Sequence, residues 1–136
     1  MKNYFFAAAF SLFSVSLYSQ QAEYKVVFDL TSKDSLDQRA LVRWANEILA
    51  GNPEAKVEVV MYGQGFNFVL GRSIYADAVK KLVANTNISF KVCAMALKNN
   101  HVDKSELLPG IETVPDGIYE IISKQREGWG YIKAVH

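Results

Sequence analysis

The sequence predicts an α/β domain in which helices cover both faces of a mostly parallel sheet of about five strands. Hydrophobic residues make up 50% of the 136 residues and charged residues 21%, which is typical of a globular domain and excludes a disordered or collagen-like chain. Helical apolar spacing separates the predicted strands. Five short runs, most of them β-branched and apolar, have the composition of strands: residues 24–30, 56–61, 88–92, 111–114 and 129–135.

The first 19 residues have the pattern of an export signal. Lys2 supplies a positive start, and Tyr4 to Leu17 is an uncharged, mostly apolar run, short for a membrane span. Ser19 is a small residue at the expected cleavage point. An uncleaved anchor is the alternative. We expect cleavage near Ser19, a single domain over residues 20–136, no membrane association after cleavage, and a periplasmic or extracellular location.

The first strand and the first helix are predicted from adjoining patterns. Tyr24 to Leu30 is a β-branched apolar run that reads as a strand. Ser35 and Gln38 have the spacing of a capping box, which predicts that a helix begins there. Gly51, followed by Asn-Pro, is expected to end it.

The middle of the chain repeats the alternation. Lys56 to Met61 is predicted as the second strand, and the loop Tyr62 to Phe66 follows it. A helix is predicted from Tyr75 to Asn85, and a third strand from Ile88 to Val92. Cys93, the single cysteine of the sequence, stands at the end of this third strand.

The last third contains a short helix, a polar loop, two strands and one more helix. Ala94 to Lys98 is predicted as the short helix and Ile111 to Val114 as the fourth strand. Pro115 is expected in the first turn of the last helix, because a first-turn residue needs no N–H. Trp129 to Val135 is the predicted fifth strand. The apolar residues predicted to face inward from the last helix are Ile118, Ile121 and Ile122.

Ligands of open parallel sheets bind beyond the carboxyl ends of the strands. Four segments fall at that edge: 29–32, 62–66, 93–95 and 114–117. The polar and small residues of the first could bind ligand groups or cap the turn that follows, and capping is the commoner use. Candidate pocket residues at this edge are Asp29, Thr31, Ser32, Tyr62, Gly63, Gly65, Lys91 and Pro115.

Cys93 is the candidate reactive residue. A strand-to-helix junction places backbone N–H groups and the helix dipole where they favour a thiolate, and Lys91 adds positive charge nearby in sequence. Such a thiolate could attack a persulfide or a disulfide. The alternative is a structural role, because free cysteine is among the most buried residue types. A single cysteine cannot form an intrachain disulfide, so a redox or sulfur-transfer role requires a second thiol.

Other functional classes are disfavoured by composition. The formal net charge is +1, and removal of residues 1–19 leaves 14 residues of each sign, so no basic surface favours nucleic acid. Two histidines and one cysteine leave little material for a metal site. Gly63-Gln64-Gly65 lacks the third glycine of a dinucleotide-binding loop, and a tight turn near a neighbouring backbone is the preferred interpretation. No metal or cofactor is predicted.

Several segments together resemble the DsrE/DsrF-like family, from about Tyr24 to Lys133. The resemblance is carried by residues 59–65 (VVMYGQG), 90–94 (FKVCA), 107–110 (LLPG), 114–117 (VPDG) and 124–132 (KQREGWGYI). Many relatives have histidine where this chain has Tyr62, and well-studied relatives are cytoplasmic, whereas this chain is expected to be exported.

The resemblance implies a three-layer α/β/α domain that assembles into trimers or hexamers. It also implies a sulfur-relay protein whose cysteine, here Cys93, carries sulfane sulfur as a persulfide. We expect a carrier or thiol-reactive accessory protein with a donor or thiol partner, more than a self-contained enzyme. The alternative is a non-catalytic ligand-binding or assembly module in which Cys93 is structural. A redox-sensing thiol is a third interpretation, disfavoured because no resolving cysteine is present.

Overall fold

The computed structural model describes residues 22–136, so the predicted export signal lies outside the described residues. The predicted order of strands and helices is confirmed, with ends shifted by up to two residues. A 3₁₀ turn, Gly65–Val69, that the sequence did not predict follows the second strand. The strands are β1 Lys25–Leu30, β2 Lys56–Met61, β3 Ile88–Cys93, β4 Glu112–Val114 and β5 Gly130–Lys133, and the helices are α1 Ser35–Gly51, α2 Ala76–Val83, α3 Ala94–Asn99 and α4 Gly117–Arg126.

All five strands are parallel and lie in the order β4-β3-β2-β1-β5. The predicted α/β class with a parallel sheet is therefore confirmed. Because every crossover returns the chain to the same end of the sheet, the carboxyl ends of β1, β2 and β3 share one edge. Leu30, Met61 and Val92 are register partners at that edge.

Two apolar layers sandwich the sheet. On one face, Leu41 of α1 and Val79 of α2 pack with Phe28 and Phe90 in the main core cluster. The other face is covered by α4, which lies across β1, β2 and β3. The apolar cluster beneath α4 is much smaller and contains the buried residues Val27, Val60 and Ile121. This asymmetry leaves polar and charged side chains under α4.

Three local expectations at helix starts and faces are wrong. The side chain of Asp34, rather than Ser35, caps α1 by accepting from the Leu36 N–H at 2.7 Å. Asp116 caps α4, so Pro115 precedes the helix. Ile118 and Ile122 are 58% and 41% exposed, because helix α4 turns only Gly117 and Ile121 fully toward the sheet.

No helix in residues 22–136 combines the length and apolar character that crossing a bilayer requires.

Candidate functional site

A cavity of about 310 Å³ opens at the carboxyl edge of the sheet, between the ends of β2 and β3 and the start of α4. Six of its ten lining residues come from three of the four segments that the sequence places at this edge, and the other four lie just beyond them, in and directly after α3 and in α4. Cys93 contributes the thiol, and amide and carboxyl side chains contribute polar groups. The lining residues are Tyr62, Gly63, Gln64, Cys93, Met95, Ala96, Asn99, Asn100, Asp116 and Ile118.

Cys93 is the last residue of β3 and the residue immediately before α3. It is 7% exposed, so its thiol meets solvent only through the cavity side. Gly117 packs directly against it: a Cβ at Gly117 would lie 3.2 Å from the Cβ atoms of both Cys93 and Tyr62. The first residue of α4 therefore sits between the thiol and the tyrosine, and no side chain fits there without displacement.

The polar rim of the cavity is fixed by hydrogen bonds. Gln64 Nε2 donates to Asn100 Oδ1 at 2.8 Å, which joins the loop after β2 to the end of α3. Asn100 Nδ2 in turn donates to the Ala96 carbonyl at 2.7 Å. The Asp116 carboxylate accepts from the backbone N–H groups of Ile118 and Tyr119, at 2.8 and 3.2 Å. Asp116 is thus committed to capping α4, and the rim amides keep fixed orientations.

A second group of polar side chains lies beside the cavity, at the end of β1. Asp29 is 3% exposed, and its Oδ2 accepts from the Tyr131 hydroxyl at 2.5 Å. The Tyr62 hydroxyl and the Lys133 ammonium each lie 3.4 Å from the same oxygen. Oδ1 of Asp29 is buried without a hydrogen-bond partner among the described residues. Tyr62 links this group to the cavity, since its side chain belongs to both.

Both phenols of this group remain protonated at neutral pH. Burial, followed by the charge of Asp29, raises the pKa of Tyr62. The hydrogen bond to Asp29, followed by burial, raises the pKa of Tyr131 to about 12. Ionising either phenol would place a second negative charge beside the buried carboxylate. The two tyrosines are therefore hydrogen-bond donors to Asp29 under physiological conditions.

The structure brings together part of the set of residues that the sequence proposed. Cys93, Tyr62 and Gly63 line the cavity. Asp29 belongs to the neighbouring polar group, and Thr31 reaches it through Lys133 Nζ, 3.4 Å from its Oγ1. The remaining candidates do not line this cavity: Ser32, Gly65, Lys91 and Pro115.

Those four residues have other contacts or positions. Ser32 Oγ accepts from the Asp34 N–H at 2.9 Å and so shapes the turn before α1. Gly65 packs against β1, since a Cβ there would lie 1.9 Å from the Leu30 carbonyl oxygen, which agrees with a tight turn rather than a phosphate loop. Lys91 pairs with Glu112 at 2.5 Å, and Pro115 is exposed.

The sequence analysis did not identify several residues of the cavity and of the neighbouring polar group. Asn99 and Asn100 lie in the stretch predicted as a polar loop, and Gln64 was treated only as the spacer between two glycines. Tyr131 and Lys133 reach Asp29 because β5 pairs with β1, with Asp29 opposite Lys133. The pairing of the first strand with the last is a property of the sheet order, and no local pattern carries it.

The fold and the site define a small three-layer α/β protein with one thiol beside a cavity at the carboxyl edge of its sheet. The model of the DsrE/DsrF-like family matches residues 25–134, and the chain belongs to that family. No curated protein matches the chain.

Two solved structures share the fold. A protein of unknown function from Methanobacterium thermoautotrophicum is 30% identical, with a TM-score of 0.78 over 82% of this chain and 99% of its own. A conserved protein of unknown function from Bacteroides thetaiotaomicron is 14% identical, with a TM-score of 0.67 over 80% of this chain and 93% of its own. The second likeness concerns the fold alone.

Proposed function

We propose that this protein is a carrier of sulfane sulfur, or a thiol-reactive accessory protein, in which Cys93 holds the sulfur as a persulfide. Membership of the DsrE/DsrF-like family suggests a sulfur-relay role. The observation that carries the proposal is the position of Cys93 at the end of β3, in the lining of the 310 Å³ cavity. That volume admits a small sulfur donor or the tip of a partner's persulfide.

The chemical step is a transfer between thiols. The Cys93 thiolate attacks the outer sulfur of a persulfide or polysulfide donor, a new S–S bond forms at Cys93, and the donor's S–S bond breaks. The donor leaves as a thiolate, and the sulfane sulfur keeps its oxidation level, so no external oxidant is needed. Because Cys93 is the single cysteine, a second protein or small thiol must take the sulfur onward.

The lining offers a small sulfur species amide donors and an apolar wall, while Asp116, its one carboxyl group, is occupied in capping α4. The rim supplies the amide side chains of Gln64, Asn99 and Asn100, which can donate hydrogen bonds to a persulfide anion. Met95 and Ala96 supply an apolar wall, and sulfur is soft and polarisable. No charged donor is required, and the protein acts as a carrier that depends on its partners for specificity.

Intact mass tests the proposal directly. The purified protein is incubated with inorganic polysulfide, and Cys93→Ala serves as the matched control. We expect an increment of whole sulfur atoms on the wild-type protein alone, removed by a reducing thiol. An unmodified wild-type protein, whose Cys93 is nevertheless alkylated after denaturation, would overturn the carrier role.

The alternative function is a non-catalytic ligand-binding or assembly module in which Cys93 is structural. Its burial at 7% exposure and its contact with Gly117 favour this reading. The alternative predicts that Cys93→Ala retains ligand binding and assembly and loses only stability. Alkylation of native protein distinguishes the two, because a carrier's thiol must react without unfolding.

We also propose that the protein forms a homo-oligomer in which a second copy packs on the outer, solvent-facing surface of α4 and β5. Ile118, Tyr119 and Ile122 project from α4 with 58%, 66% and 41% of their surfaces exposed, and Tyr131 of β5 is 43% exposed. Such apolar exposure is typical of subunit contacts. Light scattering on the wild-type protein and on Tyr119→Lys tests this. A monomeric wild-type protein would contradict it.

Export is proposed from the sequence of residues 1–19 alone. Expression of the full chain in a bacterium, followed by fractionation and N-terminal sequencing, tests the proposal. We expect a mature N-terminus close to Gln20 outside the cytoplasm. Retention of Met1 in the cytoplasmic fraction would contradict it.

A further inference from the structure

A buried acidic residue lies beneath α4, on the same face of the sheet as Cys93. Glu58, in the middle of β2, is 3% exposed and stands opposite Val27 of β1 and Ser89 of β3. Its Oε2 accepts from Ser89 Oγ at 3.2 Å and lies 3.5 Å from Lys124 Nζ. Its Oε1 is buried with no partner among the described residues. A carboxyl group half satisfied in this way is costly unless it carries a proton.

Glu120 of α4 supplies a second carboxyl group next to that of Glu58. Burial, followed by a hydrogen bond with Glu120 of α4, raises the pKa of Glu58 to about 7. Two carboxyl groups form such a hydrogen bond only when one of them is protonated. Lys124 Nζ lies 3.5 Å from Glu58 and 3.8 Å from Glu120, so the two carboxyl groups are neighbours on either side of one cation. The raised pKa of Glu58 favours its protonated form up to about neutral pH.

The neighbouring cations do not fully neutralise Glu58 and Glu120 when both carboxyl groups are ionised. Lys124 of α4 is the cation facing the pair, and it lies 3.5 Å from Glu58, 3.8 Å from Glu120 and 3.8 Å from Glu127. Lys91 of β3 also favours the charged form of Glu58, but its ammonium is paired with Glu112 of β4. From β1 the facing residue is the apolar Val27. Loss of the proton thus leaves excess negative charge between helix and sheet.

Helix α4 has few other anchors to the sheet. Of its ten residues, Gly117 and Ile121 are buried, and its apolar cluster adds Val27 and Val60 from the strands. A cluster of three buried residues removes little apolar surface from water. The charge state of the Glu58 and Glu120 carboxyl groups therefore has a large share in seating α4.

The start of the same helix forms one side of the thiol cavity. Asp116 and Ile118 line it together with Cys93. Gly117, between them, packs tightly against Cys93 and Tyr62, since a Cβ at Gly117 would lie 3.2 Å from the Cβ atoms of both. A displacement of α4 therefore moves two lining residues and changes the packing beside Cys93.

We propose that Glu58, Glu120 and Lys124 form a positioning cluster that seats α4 over Cys93 when the two carboxyl groups share a proton and loosens it when both are ionised. Access to the thiol therefore increases as pH rises through neutrality. The proposal concerns regulation of the same cavity and rests on the proposed function only for its biological purpose; the movement of α4 is measurable without any sulfur donor.

Hydrogen exchange of α4 amides tests the movement. After correction for the intrinsic exchange rate, protection of residues 121–126 is expected to fall about tenfold between pH 6 and pH 8, from the linkage of one such carboxyl group. Protection of those α1 amides that exchange by local opening, without global unfolding, is expected to stay constant. Glu58→Gln, which mimics the protonated form, should abolish the change. Equal pH dependence in wild type and variant would overturn the proposal.

Two further variants keep the test decisive. Glu120→Gln removes the partner carboxyl group from the helix side and should reduce the pH-dependent change, because only the burial of Glu58 then remains to raise its pKa; this arm is available even where Glu58→Gln folds poorly. Glu127→Gln is the matched control, since Glu127 lies at the same 3.8 Å from Lys124 but is 58% exposed. It should retain the tenfold change. Loss of the change in Glu127→Gln would assign the effect to surface charge instead.

The link to the thiol is read from alkylation of Cys93. The rate ratio of wild type to Glu58→Gln cancels the ionisation of the thiol to first order. We expect a ratio near one at pH 6 and several-fold above one at pH 8. A negative charge on Glu58 acting directly on the thiolate would slow the reaction and lower the ratio. A ratio at or below one at pH 8 would therefore contradict the proposal, whether or not Cys93 carries sulfur.

Discussion

The hydroxyl group of Tyr131 donates a hydrogen bond of 2.5 Å to Oδ2 of Asp29, across 102 positions of the sequence. The contact joins β5 to β1, which are paired in parallel register. It provides the closest hydrogen bond to a carboxylate that is 3% exposed and whose second oxygen has no partner among the described residues. The last strand is thus tied to the interior of the sheet by a polar contact beside the candidate site.

Removal of this hydrogen bond is expected to destabilise the protein. Tyr131→Phe keeps the ring and leaves the buried carboxylate short of a donor, which costs about 1–3 kcal/mol. The measurement is the free energy of unfolding in urea. Tyr24→Phe is the control, because Tyr24 is 45% exposed and lies outside the proposed subunit contact, so it should change stability by less than about 0.5 kcal/mol. Equal effects of the two substitutions would show that the Asp29 contact contributes nothing.

Because of Glu58, we expect the free energy of unfolding to decline as pH rises toward neutrality. Its pKa of about 7 in the folded protein lies above the ordinary value of 4.5, so the folded state binds the proton more tightly. Its contribution is present in full below pH 4.5 and is lost as pH rises to about 7, by an amount on the order of 3 kcal/mol. Unfolding free energies at pH 5 and pH 7.5 measure it. Glu58→Gln should remove the decline, and a decline of the same size in that variant would contradict the assignment.

Because of Asp37, we expect the free energy of unfolding to decline as pH falls in the acid range. The hydrogen bond from His136, whose Nδ1 lies 2.8 Å from Oδ1 of Asp37, holds the pKa of this carboxyl group below its ordinary value of 3.8. A depressed pKa contributes stability that is present above pH 3.8 and is lost as pH falls through the folded value. His136→Ala should raise the pKa of Asp37, measured by carboxyl NMR titration. The exposed His101 provides the control substitution, which should leave that titration unchanged.

A side chain at position 65 is expected to destabilise the protein for steric reasons. A Cβ at this position would lie 1.9 Å from the Leu30 carbonyl oxygen, so Gly65→Ala must push the loop after β2 away from β1. Overpacking of this kind costs about 1–3 kcal/mol or more, measured as the shift in thermal or urea unfolding. Gly51→Ala is the matched control, since nothing lies within 4 Å of its added Cβ. Alanine at the end of α1 should be neutral or stabilising by up to about 1 kcal/mol.

The fold could be predicted from local patterns because each strand and α-helix has its own pattern of apolar residues in the sequence. The β-branched run from Lys25 to Leu30 is buried along almost its whole length, as expected of a central parallel strand. The helix that follows begins at Ser35, as predicted, although Asp34 provides its cap. For the last helix, Ile121 was correctly predicted to face inward and Ile118 and Ile122 were not, since three isoleucines within five positions do not reveal which of them meets the sheet.

The candidate site was accessible only in part. Cys93 and Tyr62 were placed at the carboxyl edge by topology alone, and both line the cavity. Gln64 and Asn100 could not be paired from the sequence, because their 2.8 Å hydrogen bond joins two loops 36 positions apart. The contact between Asp29 and Tyr131 depends on strand order in the same way.

The sequence by itself determined the class of fold, the order of its strands and helices along the chain, and the position of the one cysteine at the carboxyl edge of the sheet. These features follow from periodicity and from the rule that parallel strands end together. Only the tertiary structure decided which side chains meet there, that Gly117 packs against Cys93, and that the buried Glu58 lies beneath α4 beside Lys124. Contacts between distant segments depend on the order of strands in the sheet and on the rotation of each helix. The free energy that selects the strand order and the helix rotation comes from packing of the whole core, so no single segment determines them.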